Sequence, residues 1–350
     1  SRGLGDVYKR QSSSSTSKQT EATGPLLKFH PDMIHDAKRG IEPHVLKTPI
    51  LHSAALSRHC GCQVYLKMEC WQTCGCFKLR GIANFLHHHK EAVMETGVVT
   101  ASSGNHALAL AYAATKLKVP RIAIFLPENA DPAKIDKIRR QGVDPILAGQ
   151  TFFETFDMAQ AHATKSAATY VHSHADPLVI AGQGTIGLEI MEALPDVDAV
   201  IVPVGGGGLI SGIAAAIHTV SSSVAVIGAE PEASPGAYLS LQKGVPCERI
   251  ALKPSVADGL AGGLSPLPFE IAHHLIDQVA LAAEEDIVVA MKAFFTEEQL
   301  VVEGAASVGL AVLLSRKIKL SAKKVLLVLT GRNVSANRFL SIVASDGECA

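Results

Sequence analysis

The sequence predicts an α/β protein built from parallel sheets with helices on both faces. Three observations lead there. From Val98 onward, short apolar runs alternate with amphipathic helical stretches, the pattern of strands joined by helical crossovers. The 350 residues are 47% hydrophobic and 19% charged, which suits a sizeable core in one large or two modest domains. Several apolar runs end in glycine-rich or small polar turns that lead directly into helices, and in such folds ligands collect at the carboxyl ends of strands.

The chain opens with a Ser-rich stretch, Ser12–Ser17, that offers almost nothing to pack, so residues 1–25 are expected to be disordered. The lack of an initiator methionine marks residues 1–11 as a possible assembly scar, with a transit segment as the competing idea. A helix signal follows at His30-Pro31-Asp32. Leu46–Ile50 is extended because the residue before a proline is pushed out of the helical region. Val64–Met68 is a strand, and a helix opens near Lys78 through Ile82, Phe85 and Leu86.

Strands are then expected at 98–100, 122–126, 145–147, 170–171, 199–204, 224–229 and 325–329. Helices are expected at 107–117, 133–141, 152–164, 184–193, 209–218, 269–276, 285–295 and 306–314.

The formal net charge of −1 gives no basic field for nucleic acid. No apolar run is long enough for a membrane span, and the first thirty residues lack a signal-peptide core. A cytoplasmic location is expected, with an organellar one left open. Seven cysteines are present, five of them crowded between Cys60 and Cys76. Their C-x-C spacing and the intervening strand favour reduced thiols over structural zinc. His87-His88-His89 point to three sides of a helix and read as a surface face.

Lys78 is the centre of the chemical reading. An amine at a helix start, beside the aromatic ring of Phe77 and partly desolvated, loses its proton more easily than a surface lysine, as a Schiff-base lysine requires. Read alone, Lys78 and Arg80 are solvated charges on a first turn. Other strand ends change that reading. Ser102-Ser103-Gly104-Asn105-His106 forms a small polar turn whose amides are able to hold a carboxylate. Gly205–Gly208 precede a helix, without the Walker lysine or the dinucleotide spacing, so a single phosphate fits better than a nucleotide. Thr330-Gly331 places a hydroxyl where a ring heteroatom is met. Together these are the contacts that pyridoxal phosphate needs.

With these residues in view, the chain resembles the fold-type II pyridoxal-phosphate enzymes, specifically the serine/threonine dehydratase and serine racemase group. The segments that carry the resemblance are Cys76-Phe77-Lys78-Leu79-Arg80-Gly81, Ser102–His106, Val179–Glu189, Gly205–Gly208, Ala257-Asp258-Gly259 and Val302-Glu303-Gly304. It spans about residues 30–340. It implies a tryptophan-synthase-β-like fold of two open-twisted, parallel-sheet domains, the large one from residues 26–96 plus 173–345 and a small mobile one from 97–172.

The resemblance also implies roles. Lys78 forms the Schiff base and removes the Cα proton, Phe77 packs on the cofactor ring, and Asn105 bonds its phenolic oxygen. Gly205, Gly206, Gly207 and Gly208 bind the phosphate, Thr330 meets the pyridine nitrogen, and Ser102, Ser103, Gly104, Asn105 and His106 hold the substrate carboxylate. The implied reaction is β-elimination of water from L-serine, L-threonine or a β-hydroxy amino acid such as hydroxyaspartate, giving a 2-oxo acid and ammonia. Ser103 stands where racemases carry the opposite-face proton donor, so serine racemisation is the alternative, and a silent binding module is the remaining one. A homodimer acting on small amino acids, without nucleic acid or membrane, is implied as well.

Three departures matter. Cys76 replaces the usual serine, and Arg332 adds positive charge after Thr330-Gly331, a feature suited to a second substrate carboxylate. Of the family's divalent-cation site (Mg or Mn), Glu230 is present, but Gly236 occupies the later acidic position, with Glu232 as a substitute.

Overall fold

The computed structural model describes residues 28–102, 104–318, 320–321 and 323–344. The tail at 1–25 and Ser103 lie outside the described residues. Ten strands follow in chain order: β1 (Ile50–Ser53), β2 (Gln63–Lys67), β3 (Val98–Ala101), β4 (Ile122–Leu126), β5 (Ile146–Leu147), β6 (Thr169–Tyr170), β7 (Ala199–Pro203), β8 (Ala225–Pro231), β9 (Gln278–Ala282) and β10 (Lys324–Val328).

They form two sheets, one in the order β1-β2-β10-β7-β8-β9 and one in the order β5-β4-β3-β6. The smaller sheet is parallel throughout. The larger is parallel except at its edge, where β1 pairs antiparallel with β2. The link between the two strands is the short helix Ala54–Cys60 and a turn at Gly61, less chain than a parallel crossover of about a dozen residues needs.

Both faces of each sheet are covered. On β7, Ala199 and Ile201 pack with Ile287 and Val308, while Val200 and Val202 pack with Ile210 and Ile213 on the other side. In the smaller sheet Ile124 and Leu126 meet Ile135 and Ile138, and Phe125 meets Ala159 and Ala163. Strands buried on both faces keep every residue apolar, which is why β7 is a continuous hydrophobic run.

One helix begins earlier than its sequence suggests. Pro177–Ala193, expected from Gly184, starts with Pro177 in its first turn and Asp176 capping the amides of Leu178 at 2.8 Å and Val179 at 3.1 Å. Gly182 and Gly184 look like breakers but are packing surfaces. A Cβ on Gly182 would stand 2.6 Å from the Arg80 carbonyl oxygen, and one on Gly184 2.9 Å from that of Gly212.

This helix also closes a buried charge cluster. Lys67, Glu69 and Arg80 are each 0% exposed, so Arg80 is not the solvated first-turn charge that it resembles in isolation. Its guanidinium donates to Glu69 through Nε and Nη2, both at 2.8 Å, and to Glu189 through Nη1 at 2.7 Å and Nη2 at 2.9 Å. Lys67 donates to the Thr48 carbonyl at 2.6 Å and to Glu189. Burial pushes the Glu69 carboxyl up, but the adjacent Arg80 and Lys67 charges and the Thr48 hydroxyl outweigh it and hold it below its ordinary value. Replacing Arg80 by methionine leaves two buried carboxylates sharing one ammonium. We expect a loss of about 3–5 kcal/mol in stability, read as a lower denaturant midpoint. An unchanged midpoint would show that the cluster is dispensable.

Candidate active site

A cavity of about 510 Å³ lies at the carboxyl ends of strands from both sheets. Its walls come from the segments after β2, β3, β7 and β10, so the strand ends singled out by sequence converge on one place. Phe77, Lys78, Asn105, Gly205–Gly208 and Thr330 all line it, as do Ser102, Gly104 and His106.

Lys78 is the first residue of the helix Lys78–His88. Its entry is fixed by the strand end of β10, because Phe77 N donates to the Thr330 carbonyl at 3.0 Å and Cys76 bridges antiparallel to Gly331. Lys78 Nζ lies 5.1 Å from the centre of the Phe77 ring and donates to the Ser173 carbonyl at 2.7 Å. No carboxylate pairs with it among the described residues. Burial accordingly pushes its pKa down from 10.5 to about 8.

The histidines nearby stay neutral. Burial, reinforced by the Lys78 charge, lowers His106 to about 3 and His172 to about 4. His172 Nδ1 accepts from Ala175 N at 2.9 Å, which places its hydrogen on Nε2.

Opposite Lys78, the helix Asn105–Lys116 presents its first-turn amides to the cavity. Asn105 Nδ2 donates to Glu303 at 2.7 Å, and its Oδ1 accepts from Asn333 Nδ2 at 2.7 Å. Glu303 is pushed up to about 7, by burial first and then by the Asp258 charge, against its hydrogen bonds from Asn105 and Asn333. Sequence reasoning noted Glu303 only as a family marker and gave Asn333 no role. The signal for both was their place beside glycines at element ends. Arg332, by contrast, is exposed and is not part of the cavity wall; the cations there besides Lys78 are Lys134, paired with Asp258 at 2.8 Å, Lys137 and Arg249.

The glycine loop leads into the helix Gly208–Val220, and Gly207 adopts φ +93°, a conformation that side chains rarely take. A Cβ on Gly206 would stand 2.4 Å from the His174 ring, and one on Gly207 2.2 Å from Leu264. Bare backbone at a helix N-terminus is an anion cradle.

Glu230 does not face this cavity. Its buried carboxylate accepts from Ala237 N at 2.8 Å and Tyr238 N at 3.0 Å, capping the helix Gly236–Lys243. Glu232 pairs with Lys317 at 2.9 Å. Among the described residues no group of three or more His, Cys, Asp or Glu is placed to hold a metal ion. The six described cysteines are free thiols. No helix among the described residues is long and apolar enough to cross a membrane.

The fold and cavity are those of an α/β enzyme with a lysine at the start of a helix and an anion cradle opposite two sheet ends. A family model described as pyridoxal-phosphate dependent enzyme matches residues 41–331, and the chain belongs to that family. It is 42% identical over 311 residues to an L-threonine ammonia-lyase of Thermotoga maritima, covering 89% of this chain and 77% of that one. It is 35% identical over 309 residues to a serine racemase of Oryza sativa subsp. indica, covering 86% and 90%. The solved structure of maize serine racemase matches with a TM-score of 0.84 at 31% identity, covering 89% of this chain and 96% of that one.

The cavity fits pyridoxal phosphate on its own evidence. Thr330, His106 and Gln183 line it, and Thr330 Oγ1, His106 Nδ1 and both amide atoms of Gln183 are buried without a hydrogen-bond partner. Each such orphan costs roughly 1–3 kcal/mol until a polar ligand meets it.

Two outcomes follow from the titrations. Only a neutral Lys78 attacks an aldehyde, so uptake of pyridoxal phosphate by the apo-protein should accelerate as pH rises, with a midpoint near 8 and not near 10.5. Stopped-flow absorbance measures this, and a rate still climbing steeply above pH 9 would contradict it. Glu303, raised from 4.5 to about 7 in the fold, contributes stability that is full below its unfolded value and is lost as pH rises through about 7. The apo-protein's denaturant midpoint should fall from pH 5 to pH 8, and less steeply in Glu303→Gln; equal slopes would refute this.

Proposed function

We propose that this chain is an ammonia-lyase for small β-hydroxy amino acids, removing water from L-threonine or L-serine to give a 2-oxo acid and ammonia. The observation that carries the reading is the desolvated Lys78 amine facing, across one cavity, the amides of the helix Asn105–Lys116. When bound, pyridoxal phosphate supplies an electron-withdrawing ring that acidifies the Cα hydrogen of the amino acid joined to it.

The residues of this chain do the rest. Gly205–Gly208 would bind the phosphate through backbone amides. Thr330 would offer the ring nitrogen a neutral hydroxyl, which would leave that nitrogen unprotonated and the ring a moderated acceptor of electrons. Asn105 has a second Nδ2 hydrogen beyond the one given to Glu303, which would be available to the phenolic oxygen. Phe77 would cover the ring. Ser102, Gly104 and the first-turn amides at Asn105 and His106 hold the substrate carboxylate, fixing the Cα–H bond toward Lys78. Lys78, as a free amine, would take that proton at Nζ. Closure of residues 97–172 over the substrate excludes water.

Serine racemisation is the second reading. It is favoured by Ser103, the hydroxyl residue between Ser102 and Gly104, and by the similarity to serine racemases. We also take the protein to act as a homodimer in the cytoplasm.

The test is an assay with L-threonine, L-serine and threo-3-hydroxyaspartate, following 2-oxo acid formation and the chirality of the remaining amino acid. Oxo acid should form, and Lys78→Ala should reduce its rate by roughly a thousandfold or more. D-Serine that disappears in Ser103→Ala while elimination persists would make racemisation a real activity of this site. Cofactor bound at Lys78 without turnover of any of the three would sink the ammonia-lyase reading.

A further inference from the structure

Behind the glycine loop four side chains form one continuous hydrogen-bonded line. Ser173 Oγ meets His174 Nδ1 at 2.8 Å, His174 Nε2 meets Ser265 Oγ at 2.9 Å, and Ser265 Oγ donates to Glu248 Oε1 at 2.7 Å. The outer end, Glu248, is exposed, and it sets the direction of the whole line. Ser265 has a single hydroxyl hydrogen, which is committed to Glu248, so Ser265 accepts from His174 and the imidazole hydrogen sits on Nε2.

Burial first, and then the nearby Lys78 ammonium, hold the His174 imidazole well below its ordinary 6.5. It is therefore neutral with one N–H, and Nδ1 accepts the Ser173 hydroxyl hydrogen. Ser173 Oγ reaches the cavity with lone pairs alone.

Two contacts seat this line against the glycine loop. A Cβ on Gly206 would stand 2.4 Å from the His174 ring, and one on Gly208 would stand 2.4 Å from the His174 carbonyl oxygen. Ser265 N also donates to the Gly206 carbonyl at 3.4 Å. All four residues line the cavity.

We propose that Glu248, Ser265 and His174 orient Ser173 as a hydrogen-bond acceptor, so that a phosphate monoester at Gly205–Gly208 is held in its singly protonated form. The proposal rests on the phosphate-binding reading of that loop. A monoanion donates its P–OH hydrogen to Ser173 Oγ, whereas a dianion has none to donate and faces lone pairs. Opposing this are the charge of Lys78 and the N-terminus of the helix Gly208–Val220, both of which favour the dianion. His106 and His172, which line the same cavity, are neutral, and its wall also carries Arg249 and the ion pair Lys134–Asp258. His174 is thus a positioning residue, acting through Ser173, and it keeps a proton at the end of the cavity where a departing hydroxyl needs one.

The experiment is a ³¹P pH titration of the holoenzyme, dialysed free of inorganic phosphate, in the unmodified protein and in variants. In Ser265→Ala the imidazole hydrogen moves to Nδ1 and Ser173 turns its own hydrogen toward the cavity, so the phosphate midpoint should fall by about one pH unit or more. Glu248→Ala frees the Ser265 hydrogen and should reverse the line in the same way, at an exposed residue outside the core. Glu248→Gln, whose amide oxygen still accepts, should keep the midpoint near that of the unmodified protein. A purely structural role would loosen cofactor binding without moving the midpoint. Midpoints unchanged in both Ser265→Ala and Glu248→Ala overturn the proposal. If the unmodified holoenzyme shows no bound-phosphate resonance, the reading of the glycine loop fails first, and this inference with it.

Discussion

Arg80 lies two residues after Lys78 and is gripped by Glu69 on one side and Glu189 on the other. That grip sets where the helix Lys78–His88 begins, because it ties the segment after β2 to the helix Pro177–Ala193. Two cations and two carboxylates are removed from water together, a costly arrangement whose members stay ionised only because each partner is in place. Its value lies in geometry more than in net stability. The same helix Pro177–Ala193 carries Gln183 to the cavity wall, and the segment just before it carries His172, Ser173 and His174. Shifting Arg80 therefore shifts the amine, its carbonyl acceptor and the wall of the glycine loop as one body.

Around Lys78 the electrostatics are arranged by exclusion of charge. No carboxylate pairs with its ammonium among the described residues, and the imidazoles of His106, His172 and His174 near it are neutral. Glu303, the cavity's buried carboxylate, is itself pushed up by burial and spends its lone pairs on Asn105 and Asn333. A lysine in such a place behaves as an amine at moderately alkaline pH, the property that both cofactor capture and proton abstraction require. Anion-binding capacity is supplied by backbone instead, from the glycine loop and from the first turn of the helix Asn105–Lys116. These donors carry no titratable group, so an anion held by them would not draw on a side-chain charge beside the lysine.

Much of this was legible in the sequence, for reasons that particular residues make plain. The strand ends at Thr100, Val204 and Leu329 announced themselves because turn chemistry is local: small polar residues and glycines must follow where backbone approaches a ligand. Lys78 was legible by its position beside Phe77 and ahead of an apolar helical face. What was not legible depends on contacts distant in the chain. Arg80 looks like a surface charge until Glu69 and Glu189 are brought to it. Gly182 and Gly184 look like helix breakers until the Arg80 and Gly212 carbonyls are seen against them. The antiparallel edge strand β1, the strand β9 and the helix Gly236–Lys243 carried no distinct periodic signal; the two strands are defined by their pairing with β2 and β8, and the helix is capped by Glu230 from β8. His174 and Ser265 are ninety-one residues apart, and nothing in the local sequence of either names the other.

The central claim is that Lys78 is the residue to which pyridoxal phosphate is joined. Borohydride reduction of the holoenzyme, followed by proteolysis and mass spectrometry, tests it most directly. The account predicts a reduced phosphopyridoxyl group on the peptide that contains Lys78, and none on peptides carrying the cavity lysines Lys134 and Lys137. A modified Lys134 or Lys137 with Lys78 left free would contradict it.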